Sequence, residues 1–194
     1  AVAGGYNPNA VEVWQEALRI PPVKVVDRGE LRRDVWDLIF ANIRFDIVQE
    51  DMRAQMGATR AGERRMIALL EKYGLDVFER HKLALFDATQ RMMEAESTTI
   101  PNGQYSGEGY IYYDGRNEGS KYTVRVDITV DDAAIKFDNS RTDERTNGFV
   151  NGTYTSSASA TALTLLQMVN PEIPHNEGML VPLDIIIPEG TILN

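Results

Sequence analysis

The fold turns on IPNGQYSGEGYIYYDGRNEGSKYTVRVDITVDDAAIKFD, residues Ile100–Asp138. Within it Tyr122, Val124, Val126, Ile128 and Val130 alternate with Thr123, Arg125, Asp127 and Thr129. A period of two gives a strand with one dry face and one wet face. Tyr105–Tyr113 is predicted as the preceding strand, and Asp114–Gly119, with its two glycines, as the turn between them. Asp131-Asp132 then turns the chain into a third strand, Ala134–Asp138, since aspartate side chains bond readily to nearby backbone. Turns this short cannot make a parallel crossover, so the three strands are expected to form an antiparallel meander.

Upstream of Ile100 the period is 3.6. Leu31, Val35, Leu38, Ile39 and Ile43 make one apolar face of a helix over Glu30–Arg44. A second helix is predicted from about Asp46 to Tyr73, with Val48, Met52, Met56, Met66, Leu70 and Tyr73 buried and Gly74 as its stop. The third opens with Asp76 as N-cap, carries Phe78, His81, Leu85, Ala88 and Met92 as its stripe and fades by Ser97. Residues 1–28 read as a loop-rich opening segment with one short helix at Val11–Leu18.

Downstream, residues 139–154 are a polar loop. Ser156–Val169 is a helix whose Ala, Ser and Thr allow close packing on a sheet, and a last strand falls around Leu183–Ile187. The expected organisation is α+β: a helical region over 29–99, packed on an antiparallel sheet with one helix over 100–194. A start at Ala1 without methionine and a stop in strand-like residues mark an expected internal fragment.

Composition limits the function. With 29 acidic and 20 basic residues the net charge is −9, and no basic face is available for nucleic acid. There is no cysteine, which removes disulfides, thiolate metal sites and a cysteine nucleophile. No apolar run approaches a membrane span and no signal-like segment is present, so a cytoplasmic protein is expected. Phosphate loops, dinucleotide fingerprints and nucleophile elbows are missing as well.

The candidate chemistry lies in a few polar positions. Asp138 ends a strand and opens Asn139-Ser140-Arg141-Thr142, a place where sheets often carry sites, although a turn role also fits it. Asn151 and Asn176 present amides in glycine-bearing turns and are equally suited to satisfying backbone there. Asp138, Asn151 and Asn176 are the candidate catalytic residues, and Arg19 and Ser140 the candidate substrate contacts. His81 reads as a packed helix histidine, and His175 with Glu177 makes half a metal site at best. No metal ligand is assigned within the chain.

Longer strings carry a resemblance. Glu16-Ala17-Leu18-Arg19-Ile20-Pro21-Pro22-Val23-Lys24, then Gly29-Glu30-Leu31 and Asn42-Ile43-Arg44, are similar to a stretch of the hydantoinase B family. Asp51-Met52-Arg53-Ala54-Gln55, Gly62-Glu63-Arg64-Arg65 and Tyr73-Gly74 continue it. So do Phe137-Asp138-Asn139-Ser140, Asn151, Ile173-Pro174-His175-Asn176-Glu177-Gly178 and Pro188-Glu189-Gly190-Thr191-Ile192-Leu193-Asn194.

That family includes B subunits of ATP-dependent hydantoinases, the matching half of 5-oxoprolinase and a subunit of acetone and acetophenone carboxylases. The resemblance implies a hydantoinase A-type partner that uses ATP and Mg to phosphorylate a carbonyl or enol oxygen. It also implies a small-molecule substrate and a divalent metal whose ligands would lie upstream of Ala1. Phosphorylating an amide oxygen turns a poor electrophile into one that water can attack. Three readings follow: part of a cyclic-amide hydrolase, part of a ketone carboxylase, or a non-catalytic scaffold for the partner. Arg141 and Phe149-Val150-Asn151-Gly152-Thr153 depart from the family pattern.

Overall fold

A computed structural model describes residues 9, 10, 12–15 and 17–194. The chain forms two compact units, residues 1–78 and 79–194, divided inside the third helix. Of the helix expected over Val11–Leu18, the described residues show a 3₁₀ turn at Val13–Gln15, while Val11 and Glu16 lie outside them. The opening Ala1–Pro8 lies outside the described residues too.

In the first unit β1 (Val26–Asp27) and β2 (Glu30–Leu31) form a minimal antiparallel hairpin. Arg28 and Gly29, with φ of 50° and 86°, supply the two left-handed residues that such a two-residue turn needs. This hairpin claims Glu30 and Leu31, so the helix expected from Glu30 starts later, as α1 (Arg33–Phe40). Trp36, Ile39 and Phe40 are buried, and Met52 and Met56 of α2 (Ile47–Tyr73) pack against them. The Trp36 indole donates to Gln49 Oε1 at 3.3 Å and is thereby satisfied. Gly74, at φ 78°, ends α2 and donates its N–H to the Leu70 carbonyl. Met66 and Tyr73, expected on the buried side of α2, are instead about half exposed, at 47% and 49%.

Helix α3 (Leu75–Ser97) buries a different stripe from the one its apolar residues predict. Thr89, Met93 and Ser97 are its buried residues, whereas His81, Leu85 and Met92 are exposed. Two polar residues on that stripe have partners that make burial tolerable. Asn176 Nδ2 donates to Thr89 Oγ1 at 2.8 Å, and Ser97 Oγ donates to the Met93 carbonyl at 2.9 Å. Asp76 lies inside the first turn of α3, one residue past its start, where a negative charge suits the positive helix end.

The second unit is built on a four-stranded sheet in the order β3-β4-β5-β6: Gly103–Ile111, Tyr122–Asp131, Ala134–Asp138 and Leu183–Ile186. Strands β3, β4 and β5 form the antiparallel meander, with Tyr105 opposite Ile128 and Ile128 opposite Phe137. The last strand corrects the wholly antiparallel expectation, because β6 runs parallel to β5 from Ile135–Leu183 to Asp138–Ile186. Residues 139–182 are long enough for such a crossover and include α4 (Tyr154–Leu166). Met93, Val130, Ile135, Phe137, Leu165, Val169 and Ile173 make the core. Ile135 is 2% exposed at its centre, so Ile135→Ala is expected to cost about 2–5 kcal/mol, read from denaturant unfolding.

The small residues of α4 do not bring its whole length close to the sheet. Ala162 and Leu165 are buried, but Ser156, Ser157, Ala160, Thr161 and Thr164 border a cleft of about 760 Å³. Small side chains leave space here instead of closing it.

Candidate functional site

Alternation along β4 and β5 gives the sheet two distinct faces. Val124, Val126, Ile128, Ile135 and Phe137 face the cleft and α4. Arg125, Asp127, Lys136 and Asp138 take the alternate positions and so the opposite face. Asp138 therefore stands on the polar face, in register with Asp127 of β4 and Ile186 of β6.

Charges on that face are laced together. Arg125 donates from Nε to Glu108 Oε1 at 3.1 Å, and from Nη1 to Asp143 Oδ1 and to the Arg141 carbonyl, both at 2.9 Å. Arg141 grips Asp127 with two parallel hydrogen bonds, a fork geometry only a guanidinium offers. Lys136 Nζ lies 3.3 Å from Asp138 Oδ2, and the Ser140 amide donates to Asp138 Oδ1 at 3.0 Å. Ser140, through its hydroxyl and amide, with help from Lys136, holds the Asp138 carboxyl below its ordinary range. Asp138 is thus a fixed negative charge at neutral pH, suited to orienting a donor or cation and too weakly basic to abstract a proton efficiently.

A second polar cluster closes the end of the sheet. Asp114 is fully buried yet has many partners. Its Oδ1 accepts from the Arg116 and Asn117 amides, and its Oδ2 from Asn117 Nδ2, Tyr122 OH and Thr146 Oγ1 at 2.6–2.7 Å. Thr146 above all, then Tyr122 and the loop amides, drive its pKa far below the usual carboxylate range. Phe149 N donates to the Asp114 carbonyl at 3.0 Å, and a Cβ on Gly148 would lie 2.1 Å from that oxygen. Sequence reading placed Asp114 in a turn and missed this clamp. Its main partner, Thr146, is 32 residues away, and no local pattern signals it.

Asn151 continues the same loop. Its Oδ1 accepts from the Thr146 amide at 3.0 Å, while Nδ2 donates to the carbonyls of Thr146 and Gly148 at 2.6 and 3.1 Å. Next come Gly152, whose N–H donates to the Ile192 carbonyl, and Thr153, which caps α4 in a capping box with Ser156. The closing string Pro188–Asn194 joins in: Arg145 N donates to the Gly190 carbonyl, Ile192 N to the Asp143 carbonyl and Ser157 Oγ to the Leu193 carbonyl. Asn139, buried, donates from N and Nδ2 to the Ile186 carbonyl. Three strings separated in sequence, around Asp138–Asn139, Asn151–Thr153 and Pro188–Asn194, thus meet at one end of the sheet.

The remaining candidates lie elsewhere. Asn176 bonds to Thr89 Oγ1 and accepts from Gly178 N at 2.9 Å, holding its turn against α3. His175 and Glu177 are exposed. Arg19, in the first unit, is exposed and stacks over the Trp14 ring at 4.7 Å. Among the described residues no group of three or more His, Asp or Glu is placed to hold a metal ion. No described helix is long and apolar enough to cross a membrane.

Phe137–Ser140, Asn151 and Pro188–Asn194, which reach the end of the sheet, are among the strings that carried the family resemblance, and the hydantoinase B/oxoprolinase family model matches residues 1–194. The chain belongs to the hydantoinase B/oxoprolinase family. It is 35% identical to the beta subunit of the caprolactamase of Pseudomonas jessenii, over 100% of this chain and 33% of that protein. It is 32% identical to the B subunit of a putative D-/L-hydantoinase from Pseudomonas sp. (strain NS671), over 96% of this chain and 33% of the relative. The crystal structure of the ATP-dependent caprolactamase from P. jessenii superposes with a TM-score of 0.87 at 34% identity, covering 100% of this chain and 33% of that one. A nucleotide-free acetone carboxylase structure gives a TM-score of 0.80 at 15% identity, with 93% of this chain and 26% of that one covered, a likeness of fold alone. Within this family the chain spans about a third of the length of the two Pseudomonas relatives.

Proposed function

We propose that this chain is part of the B-type component of an ATP-dependent cyclic-amide hydrolase, working in the cytoplasm with an ATP-using A-type partner. Its sequence and fold likeness along the whole chain to a caprolactamase beta subunit carries this reading. A divalent metal would be held by residues outside the described ones, and ATP by the partner. The substrate is a small molecule with an amide in a ring. Incubating the longer subunit and its partner with hydantoin, 5-oxoproline or caprolactam tests this by ring opening. Turnover of acetone or acetophenone only with bicarbonate would replace it with the carboxylase reading.

The candidate residues divide into two roles. Asp138 and Ser140 lie on the polar face with the Asp138 carboxylate still about 30% exposed, and they are the candidates for orienting a substrate or partner group. Arg19, in the first unit, is a candidate contact by itself. Asn151 and Asn176 act by holding their loops, because their amides are bonded to the protein. Asp138→Asn is expected to lower turnover per assembled complex about 10- to 100-fold, the loss that accompanies misorientation, with a smaller fall in melting temperature than Asp114→Asn gives. Asn176→Ala is expected to lower stability and assembled yield while leaving turnover per complex intact. If Asp138→Asn also left turnover per complex intact, this chain would be a scaffold and not a contributor to chemistry.

A further inference from the structure

The cleft between α4 and the sheet has a geometric origin. Four strands about 4.8 Å apart span roughly 15–20 Å, while one helix covers about 10 Å. Helix α4 seals the β5 side, where Leu165 and Val169 meet Ile135 and Phe137. The β3–β4 side is left open, with Tyr105, Val124, Val126 and Ile128 lining it.

The wall on that side is unusually bare. Register places Gly107 opposite Val126 and Gly109 opposite Val124, so two β3 positions on the cleft face carry no side chain. A Cβ on Gly107 would touch only Val126 Cγ1, at an ordinary 3.7 Å, and a Cβ on Gly109 would meet nothing within 4 Å. Neither glycine has a positive φ. Nothing in the chain's own packing or backbone calls for glycine at these positions, and glycine weakens a strand. A close-approaching occupant explains both.

The lining chemistry identifies the kind of occupant. Hydroxyls bordering the cleft are spent internally: Ser157 Oγ donates to the Leu193 carbonyl, Thr161 Oγ1 to the Ser157 carbonyl and Thr164 Oγ1 to the Ala160 carbonyl. No buried side-chain nitrogen or oxygen among the described residues lacks a partner. A small-molecule site generally presents several convergent polar groups, and this cleft is lined mostly by apolar side chains, with Asn139 its one amide. The volume, about 760 Å³, is far beyond that of a simple lactam ring. An apolar, directionless surface beside a helix on a half-covered sheet is what a second helix packs against.

We infer that in the longer subunit an amphipathic helix, supplied by the sequence beyond these 194 residues, lies beside α4 on the β3–β4 face with its apolar stripe over Gly107 and Gly109. The two Pseudomonas relatives are about three times as long as this chain and have the sequence to supply it.

Two variants of the full-length subunit test this. Because valine favours strands, Gly109→Val on an open face would hold or raise the melting temperature; under a packed helix it is expected to lower it by several degrees. Val124→Cys gives a thiol on the cleft wall, in a segment with no native cysteine, and Tyr112→Cys gives an exposed control. With iodoacetamide on the native subunit and peptide mapping, position 112 is expected to be alkylated at least 10-fold faster than position 124. Equal alkylation at both positions, or a melting temperature held or raised by Gly109→Val, would overturn the inference. Protection of the thiol at position 124 that appears only when caprolactam is added would overturn it in favour of a ligand pocket.

Discussion

Gly148→Ala is expected to be the most damaging single-methyl change in the sheet unit. The new Cβ would lie 2.1 Å from the Asp114 carbonyl oxygen and 2.6 Å from the Asp114 Cβ. Neither neighbour is the free end of a flexible side chain, so backbone has to move, and the moving segment is the loop that carries Asn151 and Thr153. A cost of about 3 kcal/mol or more follows, at the upper end of overpacking effects. Gly178→Ala is expected to behave alike, since its Cβ would come 2.2 Å from the Phe86 carbonyl. Gly57→Ala and Gly62→Ala provide the contrast: both glycines lie inside α2 with nothing within 4 Å, and alanine there is expected to stabilise by about 0.5–1 kcal/mol. Equilibrium denaturation of the four variants compares them directly, and equal stability of Gly148→Ala and Gly62→Ala would refute the close approach at Asp114.

The second large effect concerns acid. The carboxyls of Asp114, Asp138 and Asp143 are all held below their ordinary range: Asp114 by Thr146 and Tyr122, Asp138 by Ser140, Asp143 chiefly by the Thr123 amide and then by Arg125. A depressed folded-state pKa contributes stability that is fully present above the unfolded value, near 3.9, and is lost as pH falls below it toward the folded value. The melting temperature is therefore expected to be flat from pH 7 to about pH 5 and to drop steeply below about pH 4. Asp114→Asn removes the most depressed of the three. It keeps the shape but puts an amide where the hydroxyls of Tyr122 and Thr146 donate. It is expected to melt about 5–10 °C lower at pH 7 and to show a shallower acid limb than the parent. An unchanged acid limb would mean that Asp114 is not the buried charge described.

Local chemistry made much of this fold legible. Strand β5 has the bounds its alternation predicts, and Gly74 stops α2 where a left-handed residue was required. The turn at Asp131-Asp132 holds as well, with Asp132 at φ 50° and its amide donating to Asn102 Oδ1. What stayed hidden depends on partners distant in sequence. The stripe of α3 was misplaced because Thr89 and Ser97 count as polar, although Asn176 and the Met93 carbonyl satisfy them. The parallel pairing of β6 depends on a crossover of more than forty residues that no short pattern encodes. At the candidate site, the position of Asp138 and Ser140 at the end of a strand was legible because four adjacent polar residues follow it. The Asp114 clamp was not, since its hydroxyl donors come from Tyr122 and Thr146, each unremarkable in its own segment.

The central claim, that this chain is part of an ATP-driven cyclic-amide hydrolase, is tested most directly by stoichiometry. The longer subunit, assembled with its A-type partner, would be given ATP and caprolactam, hydantoin or 5-oxoproline without bicarbonate, and ADP and ring-opened product counted together. The account predicts ADP and opened ring in a fixed ratio near one, with neither formed when the amide is omitted. ADP release with these amides but no opened ring, or turnover only of a ketone with bicarbonate, would contradict it.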